Sequence, residues 1–337
     1  MGVLAGCDAR HRACRMALPY KRPVTRQRAL PAQPECSGYL FAAPQMTDQF
    51  TLDKRRVRRS FDRAAATYDQ VAVLQREICD RMAERLQYIK YEPKLILDAG
   101  SGTGYGSRQL RERYAKARVI ELDIAPAMLQ ASRCHQPAWK RLLPFMAGEE
   151  RVCGDIESLP LRAESVGMIW SNLALQWSND LDATFGGMWR VLESGGLLMF
   201  STFGPDTLKE LRQAFGELDS DAHVNRFSDM HDVGDALMGA GFAAPVMDME
   251  TLTLTYADLT GLMRDLKALG AHNANQGRRR GLLGKTAWQR VQQNYEALRR
   301  DGKLPATYEV VYGHAWKGEK RQPKLPDGAQ VVRFAKK

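Results

Sequence analysis

The stretch Lys94-Leu-Ile-Leu-Asp-Ala-Gly-Ser-Gly-Thr-Gly-Tyr-Gly106 decides the fold of this 337-residue chain. Three apolar residues, Leu95 to Leu97, predict a short buried strand, and Asp98 ends it before a turn with a glycine at every second position. Because glycine has no β-carbon, such a turn lets a ligand approach the backbone N–H groups, and a helix starting at Tyr105 would present its N-terminus to polar or anionic groups. The stretch therefore predicts a ligand-binding turn between a strand and a helix.

The spacing of the glycines does not fit the dinucleotide fingerprint. In G-x-G-x-x-G the third glycine comes five residues after the first, where it lets the helix pack closely on the strand. That position is Tyr105 when counted from Gly100 and Ser107 when counted from Gly102, so neither register completes the fingerprint. The residues that remain resemble the first motif of class I S-adenosylmethionine-dependent methyltransferases, Asp-x-Gly-x-Gly-x-Gly: Asp98, Gly100, Gly102 and Gly104.

A second acidic residue ends the next predicted strand, residues 117–123. Asp123 follows the glycine turn by about 20 positions, where a carboxylate can accept hydrogen bonds from both ribose hydroxyls of an adenosine. Glu121 is a competing candidate, but the segment that runs from Asp123 and Ile124 to Met128 matches the methyltransferase form. We therefore expect Asp123 and Ile124 to bind the cofactor.

Polar residues also follow the third and fourth predicted strands. In the methyltransferase fold, a carboxylate and a backbone N–H after the third strand meet the adenine ring, and Asp155 and Ile156 occupy those positions. Asn172 lies at the carboxyl end of the fourth strand, the edge at which open α/β sheets bind ligands. Trp177, a little further on, is better explained as a core residue than as a ligand contact.

Composition and charge narrow the class of protein. No apolar run approaches the roughly 20 residues of a membrane-spanning helix. The six cysteines form no C-x-x-C pair, so neither a zinc site nor a disulfide framework is expected, and a cytoplasmic location suits them. Residues 1–45 carry half of the formal net charge of +10. The remaining excess is too small to require nucleic acid, but it suits an acidic protein partner.

Alternating strands and helices predict an α/β fold with a parallel sheet covered on both faces. Helical periodicity over 54–89 predicts an N-terminal pair of amphipathic helices, and Gly195-Gly196 is expected to end a helix over 180–192. The predicted organisation has four parts: a disordered leader over 1–45 or a true start at Met46, a helical lid over 46–93, a catalytic domain over 94–317 with substrate-side insertions at 204–230 and 256–304, and a basic extension over 318–337.

Beyond these general motifs, residues 50–316 resemble the malonyl-acyl-carrier-protein O-methyltransferase family of biotin synthesis. The residues that carry the resemblance are Phe61, Tyr68 and Gln75-Arg76 in the lid, the segments 155–161 and 171–177, His223-Val-Asn-Arg-Phe227, the segment 263–278, and Tyr308. The resemblance implies a Rossmann-like class I methyltransferase with a mostly parallel seven-stranded sheet, helices on both faces, the lid, and a helical insertion before the last strand.

The resemblance also implies a reaction. S-adenosylmethionine would methylate the free carboxylate of malonyl-acyl carrier protein and leave S-adenosylhomocysteine, with no metal, nucleic acid or membrane involved. A carboxylate is already ionised at neutral pH, so no general base is expected. Arg226, and after it Arg278, are the candidates to clamp the malonyl carboxylate, because a guanidinium can pair with both oxygens. Tyr68 is expected to face the active site, and Lys267 is a further candidate beside Arg278.

Three other functions compete with this one. A quinone C-methyltransferase would need a base or metal to activate carbon, and no histidine is placed by the sequence for that role. A non-catalytic assembly protein could keep the S-adenosylmethionine fold without methyl transfer. An RNA methyltransferase would explain the basic charge, but no RNA-binding module accompanies it.

Overall fold

The computed structural model describes residues 50–135, 150–218, 221–278, 281 and 283–318. The predicted leader and the proposed start at Met46 lie outside these residues, as does all of the C-terminal extension except Gly318. No helix among the described residues is long and apolar enough to cross a membrane.

The centre of the described part is a seven-stranded sheet with the order β3-β2-β1-β4-β5-β7-β6. Strands β1 to β5 pair in parallel, and β7 runs antiparallel to both β5 and β6. The strands are β1 (Leu95–Ala99), β2 (Arg118–Asp123), β3 (Glu150–Cys153), β4 (Val166–Asn172), β5 (Leu192–Phe203), β6 (Phe242–Tyr256) and β7 (Leu304–Lys317). The predicted mostly parallel seven-stranded sheet is confirmed.

The strand order reverses between β1 and β4. From β1 the chain continues outward to β2 and β3, whereas β4 and β5 lie on the other side of β1. In open α/β sheets the crevice at the carboxyl ends of the strands on either side of such a reversal binds ligands. The glycine turn after β1 and Asn172 at the end of β4 therefore lie at this crevice.

Two hydrophobic cores cover the two faces of the sheet. Successive residues of a strand point to opposite faces, and accordingly Ile96 and Met168 belong to one core while Leu97 and Ile169 belong to the other. All four side chains are fully buried. The nearly continuous apolar runs of β1 and β4 follow from this burial on both sides.

Helices flank the sheet and also form the lid. The α-helices of the described residues are α1 (Lys54–Ala64), α2 (Tyr68–Val71), α3 (Val73–Arg85), α4 (Tyr105–Arg113), α5 (Pro126–Cys134), α6 (Leu181–Val191), α7 (Lys209–Gly216), α8 (Met230–Gly239), α9 (Leu259–Ala268) and α10 (Lys285–Glu296). Helices α1 to α3 lie in the lid. Helices α9 and α10 form the predicted insertion before the last strand.

Two details differ from the prediction. Gly195-Gly196 does not end α6, because that helix stops at Val191 and β5 begins at Leu192. The glycine pair instead lies inside β5 near an irregular register, where Gly195 has a φ of +76° and a β-carbon on Gly196 would come within 2.9 Å of the Gly167 carbonyl oxygen. Helix α7 was not predicted at all, although Leu211, Ala214 and Phe215 of its buried face are spaced as in a helix.

Candidate active site

The glycine turn, the strand ends and the lid line a cavity, here called the main cavity, whose empty space is about 840 Å³ when the part open to solvent is included. A second cavity, the side cavity, has about 440 Å³ of empty space when the part open to solvent is included, and it shares several lining residues with the main cavity, among them Gln75 and Gly100. Eight predicted site residues line the main cavity: Tyr68, Gly100, Gly102, Asp123, Ile124, Asp155, Ile156 and Asn172. The sheet and the lid thus bring together residues that are more than 100 positions apart in the chain.

The three predicted glycines have positive φ but different surroundings. A β-carbon on Gly100 would lie 2.3 Å from the β-carbon of Ala174, whereas one on Gly102 would meet no atom within 4 Å. Gly102 therefore leaves open space on the cavity side. Gly104 lines neither cavity, because it packs against α5, where its β-carbon would lie 2.3 Å from Ser132 Oγ.

Asp123 is held by the backbone at the tip of β2. Its Oδ2 accepts a hydrogen bond of 2.9 Å from the Gly102 N–H, and its Oδ1 accepts one of 2.8 Å from the Ala125 N–H. Burial raises the pKa of Asp123 to about 6, although these two N–H groups act against the shift. Since each carboxylate oxygen has two lone pairs, Asp123 keeps acceptor capacity toward the main cavity, which it lines.

Glu121, the other candidate for the ribose contact, forms its interactions inside the protein and away from the cavities. Its carboxylate is fully buried and forms ion pairs of 2.8 Å with Arg111 and 2.9 Å with Arg151. It also accepts a hydrogen bond of 2.7 Å from Ser132 Oγ. Glu121 therefore connects α4, α5 and β3 and lines neither cavity.

Asp98, the acidic residue of the first motif, lies behind the glycine turn and lines the side cavity. Its carboxyl group is 2% exposed and accepts a hydrogen bond of 2.5 Å from Ser107 Oγ on α4. Burial raises the pKa of Asp98 to about 7. Asp98 thus joins the end of β1 to the start of α4.

At the loop after β3, the structure adds a cavity-lining residue that the sequence did not indicate. Lys54, on the first turn of α1, lies 3.1 Å from Asp155 and 2.9 Å from Glu157 and lines the main cavity. Asp155 Oδ1 also accepts a hydrogen bond from the Glu157 N–H. The ion pairs of Lys54 therefore join the lid to the loop after β3. No local sequence pattern predicts these contacts, because the partners lie about 100 residues apart.

Asn172 connects the end of β4 to the lid. Its Nδ2 donates to the Gln75 carbonyl oxygen at 3.1 Å, and its Oδ1 accepts from Ser201 Oγ at 2.8 Å. The predicted residue thus lines the main cavity while both polar ends of its side chain are engaged by the protein.

Tyr68 and Asp69 bring α2 onto the glycine turn. Tyr68 lines both cavities, and burial, followed by the charge of Asp123, raises the pKa of its hydroxyl well above the usual value. A tyrosine hydroxyl is protonated at neutral pH in any case, so the phenol is able to donate. The Asp69 carboxylate accepts from Thr103 Oγ1 at 2.5 Å and contacts His135 Nε2 at 2.8 Å. Neither Asp69 nor Thr103 is among the site residues predicted from the sequence.

Buried polar atoms without a hydrogen-bond partner occur in the walls of both cavities. Among the described residues they include Gln75 Oε1, Ser101 Oγ and Gln176 Oε1. Buried acceptors are almost always satisfied in native structures. These atoms are therefore suited to hydrogen-bond a polar ligand.

The comparisons with known proteins agree with this geometry. Residues 97–200 match the family model described as "Methyltransferase domain". The malonyl-[acyl-carrier protein] O-methyltransferases of Gallionella capsiferriformans and Laribacter hongkongensis are each 60% identical to the chain, over 85% and 86% of its length and 98% of theirs. The crystal structure of YcgJ from Bacillus subtilis covers 71% of this chain and 98% of its own, with 15% identity and a TM-score of 0.50, which supports the fold.

The chain belongs to the malonyl-[acyl-carrier protein] O-methyltransferase family. The resemblance stated from its motifs is thereby confirmed. The chain is an S-adenosylmethionine-dependent O-methyltransferase by family.

The two arginines predicted to clamp the substrate lie outside the cavity lining of this methyltransferase. Arg226 is exposed, with its guanidinium 5.9 Å from the centre of the Phe50 ring. Arg278 is half-buried and donates from Nη1 to the Asn275 carbonyl oxygen at 2.9 Å. The clamp role of both stays a prediction.

Trp177, which the sequence analysis assigned to the core, lines the main cavity. Its ring packs edge-on against Phe61 of α1, with 5.2 Å between the ring centres. Together with Phe203 and Leu269 these rings form an apolar wall, which explains why composition alone did not separate a core tryptophan from a cavity-lining one.

Proposed function

We propose that the protein transfers the methyl group of S-adenosylmethionine to the free carboxylate of malonyl-acyl carrier protein. The observation that carries the proposal is 60% identity over nearly the whole length of two relatives named for this activity. The methyl ester would lack the negative charge of malonate, so that the chain could enter apolar pockets of elongation enzymes. It would thereby prime the synthesis of the pimeloyl chain of biotin.

The residues of the two cavities fit S-adenosylmethionine. The ribose hydroxyls would donate to Asp123, and the adenine would lie near Asp155 and the backbone of Ile156. The ammonium group of the methionine part would donate hydrogen bonds to Gln75 Oε1 and Ser101 Oγ beside the glycine turn, two buried atoms that have no partner among the described residues. The open space at Gly102 supports this placement, since a side chain there would enter the main cavity.

Methyl transfer to a carboxylate needs no general acid or general base. When bound, S-adenosylmethionine supplies an electrophilic methyl group on a sulfonium, and a malonyl carboxylate is already ionised at neutral pH. The protein therefore contributes mainly alignment of the carboxylate and exclusion of water. The apolar wall of Phe61, Trp177, Phe203 and Leu269 suits the second task.

Tyr68 is the residue we assign to the first task. Its hydroxyl, like that of any tyrosine at neutral pH, is protonated, so it can donate a hydrogen bond to a carboxylate in the main cavity. One donor to one oxygen orients the carboxylate and leaves the second oxygen free to attack. A bidentate arginine would bind both oxygens and weaken the nucleophile, which agrees with the position of Arg226 and Arg278 outside the lining.

The test is a methyl-transfer assay with S-adenosylmethionine labelled in the methyl group. We expect labelled methyl ester, released by mild base, on malonyl-acyl carrier protein and none on acetyl-acyl carrier protein, which lacks the free carboxylate. Malonyl-coenzyme A assayed in parallel would reveal the carrier preference. Labelling of a quinone precursor without any malonyl ester, or tight cofactor binding without product on either malonyl carrier, would contradict the proposal.

A further inference from the structure

Cationic side chains gather at one side of the main cavity, where the lid meets the loop after α9. Arg56 and Arg63 lie seven residues apart on α1, Lys267 is in the last turn of α9, and His272 and Arg278 are in the following loop. We call these five residues the cationic cluster. The mechanism proposed above uses none of them.

The loop that carries part of the cluster is packed firmly on α1. The Asp53 N–H, at the N-cap of α1, donates to the Ala274 carbonyl oxygen at 2.9 Å. A β-carbon on Gly270 would lie 3.1 Å from both the Ser60 carbonyl oxygen and the Ala64 β-carbon. This close approach holds the cationic residues of the helix and of the loop in one place.

Several members of the cationic cluster influence one another electrostatically. Burial, followed by the charge of Arg278, lowers the pKa of Arg56. Burial, followed by the charges of Arg56, Lys267 and Arg63, lowers the pKa of His272. The charge of Asp53 acts on the pKa of Arg56 in the opposite direction. The repulsion would be relieved by an anion among these cations.

One nitrogen of the Arg56 guanidinium has no hydrogen-bond acceptor in the described part of the chain. This nitrogen, Nε, is buried. A buried guanidinium N–H without an acceptor is uncommon in native structures. Together with the surrounding charge, it indicates an oxygen-rich anionic ligand.

The position of the cluster indicates which anion it would bind. Val57 and Ala271 line the main cavity, and each is the chain neighbour of a cluster residue, Arg56 or His272. No member of the cluster lines the cavity itself. The reacting carboxylate has to lie inside the cavity beside the methyl donor, so an anion at the cluster belongs to a part of the substrate that remains outside.

We infer that the cationic cluster binds the phosphate of the phosphopantetheine arm that joins the malonyl thioester to its carrier. The inference rests on the proposed function, because only a carrier-linked substrate has such an arm. The pantetheine chain would pass from the cluster into the main cavity along the apolar residues Val57, Leu269 and Ala271, which line that cavity. In this arrangement Arg278 would contact the phosphate, an alternative to the malonyl carboxylate that the sequence predicts for it.

The experiment compares two small substrates that differ in that phosphate alone, malonyl-phosphopantetheine and malonyl-pantetheine. We expect wild-type kcat/KM to favour the phosphorylated form by about tenfold or more, as charge-assisted hydrogen bonds to phosphate suggest. Arg56→Gln and Arg278→Gln should each lose most of this preference, while turnover of malonyl-pantetheine and affinity for S-adenosylmethionine stay within about twofold.

Arg58→Gln is the matched control, since Arg58 is an exposed residue of the same helix that lies 3.8 Å from Asp62. It should keep the wild-type preference. Equal use of both substrates by the wild type, or equal losses on both in the cluster variants, would overturn the inference. Losses confined to the intact carrier protein would also overturn it, because they would indicate a protein-docking surface.

Failure of the proposed function gives a separate result. If the wild type methylates neither substrate, titration of the unmalonylated compounds into the protein with S-adenosylhomocysteine still tests the cluster. Tighter binding of phosphopantetheine than of pantetheine, lost in Arg56→Gln but kept in Arg58→Gln, would support the phosphate site. Equal affinity for the two compounds would contradict it.

Discussion

At the scale of single residues, the position along β2 decides which of its two carboxylates faces the main cavity and which forms ion pairs inside the protein. Asp123 and Glu121 lie two residues apart on β2, and the sequence favoured Asp123 by comparison with a motif. The structure supplies the physical reason. Glu121 is neutralised by two arginines inside the fold, whereas Asp123, at the strand tip, is held by two backbone N–H groups and lines the main cavity.

Affinity for S-adenosylmethionine should depend on the ionisation of Asp123. Burial raises the pKa of Asp123 to about 6, so the unliganded folded protein retains a proton that the unfolded chain loses near pH 4. The protonated form therefore stabilises the fold at low pH, and this contribution is lost as the pH rises through about 6. The ribose hydroxyls require the ionised form, so affinity should fall below pH 6 by up to about tenfold per pH unit.

Calorimetric titration between pH 5 and pH 8 would measure this dependence. Burial raises the pKa of Asp98 to about 7, so the titration of Asp98 should extend the pH dependence of the affinity to higher pH. In Asp123→Asn the affinity should be lower at pH 8 and the dependence below pH 6 should flatten. A wild-type affinity that stays constant over the range would remove Asp123 from the ribose role.

At the scale of elements, a turn with three positive-φ glycines uses each of them differently. Gly100 lets the chain approach Ala174 after β4, Gly102 leaves space in the main cavity, and Gly104 lets the turn pack on α5. All three look equivalent in the sequence motif. Which one faces a ligand depends on neighbours more than 25 residues away, and those neighbours become visible only in the fold.

Alanine substitutions should separate the first two glycines. Gly100→Ala combines left-handed backbone strain with a collision at 2.3 Å, and should lower the free energy of unfolding by about 3 kcal/mol. Gly102→Ala meets no atom within 4 Å and should cost about 1 kcal/mol from backbone strain. Its main effect should be weaker S-adenosylmethionine binding, because the added methyl group enters the main cavity. Urea unfolding and cofactor titration measure the two effects, and equal destabilisation by both changes would be the contrary result.

At the scale of the whole molecule, the active site exists because the lid is joined to the sheet at several separate points. Asp69 contacts Thr103 of the glycine turn, the Gln75 carbonyl accepts from Asn172, and Lys54 pairs with Asp155. These contacts join residues that are 34 to 101 positions apart. They close the main cavity over the strand ends, so cofactor binding and lid closure should be coupled.

Removal of one tether should loosen the lid without unfolding the protein. In Asp69→Ala, loss of the carboxylate contacts to Thr103 and His135 should weaken closure by about 1–3 kcal/mol. We expect faster amide hydrogen exchange over α1 to α3 and faster dissociation of S-adenosylmethionine. Glu77→Ala is the matched control on the lid, because the exposed Glu77 pairs with Arg81 on the same helix. Unchanged exchange in Asp69→Ala would show that the other tethers suffice.

The sequence by itself determined the mostly parallel α/β sheet and eight of the residues that line the main cavity, and its resemblance to a known family gave the seven strands and the family. The predicted lining residues depend on local patterns: apolar strands, a glycine turn, and acidic residues at strand ends, each of which a short stretch of the chain displays. Helix α7 was missed although its periodicity was present, and Gly195-Gly196 was assigned to a helix end because a strand irregularity has the same local signature.

Only the tertiary structure decided which polar groups meet across the chain. It placed Lys54 on Asp155 and Asp69 on the glycine turn, and it left Arg226 and Arg278 outside the cavity lining. The physical reason is that a side chain's role depends on the groups around it and on its burial. Those are set by the packing of the lid and of the α9 insertion against the sheet, over sequence distances that no local pattern spans.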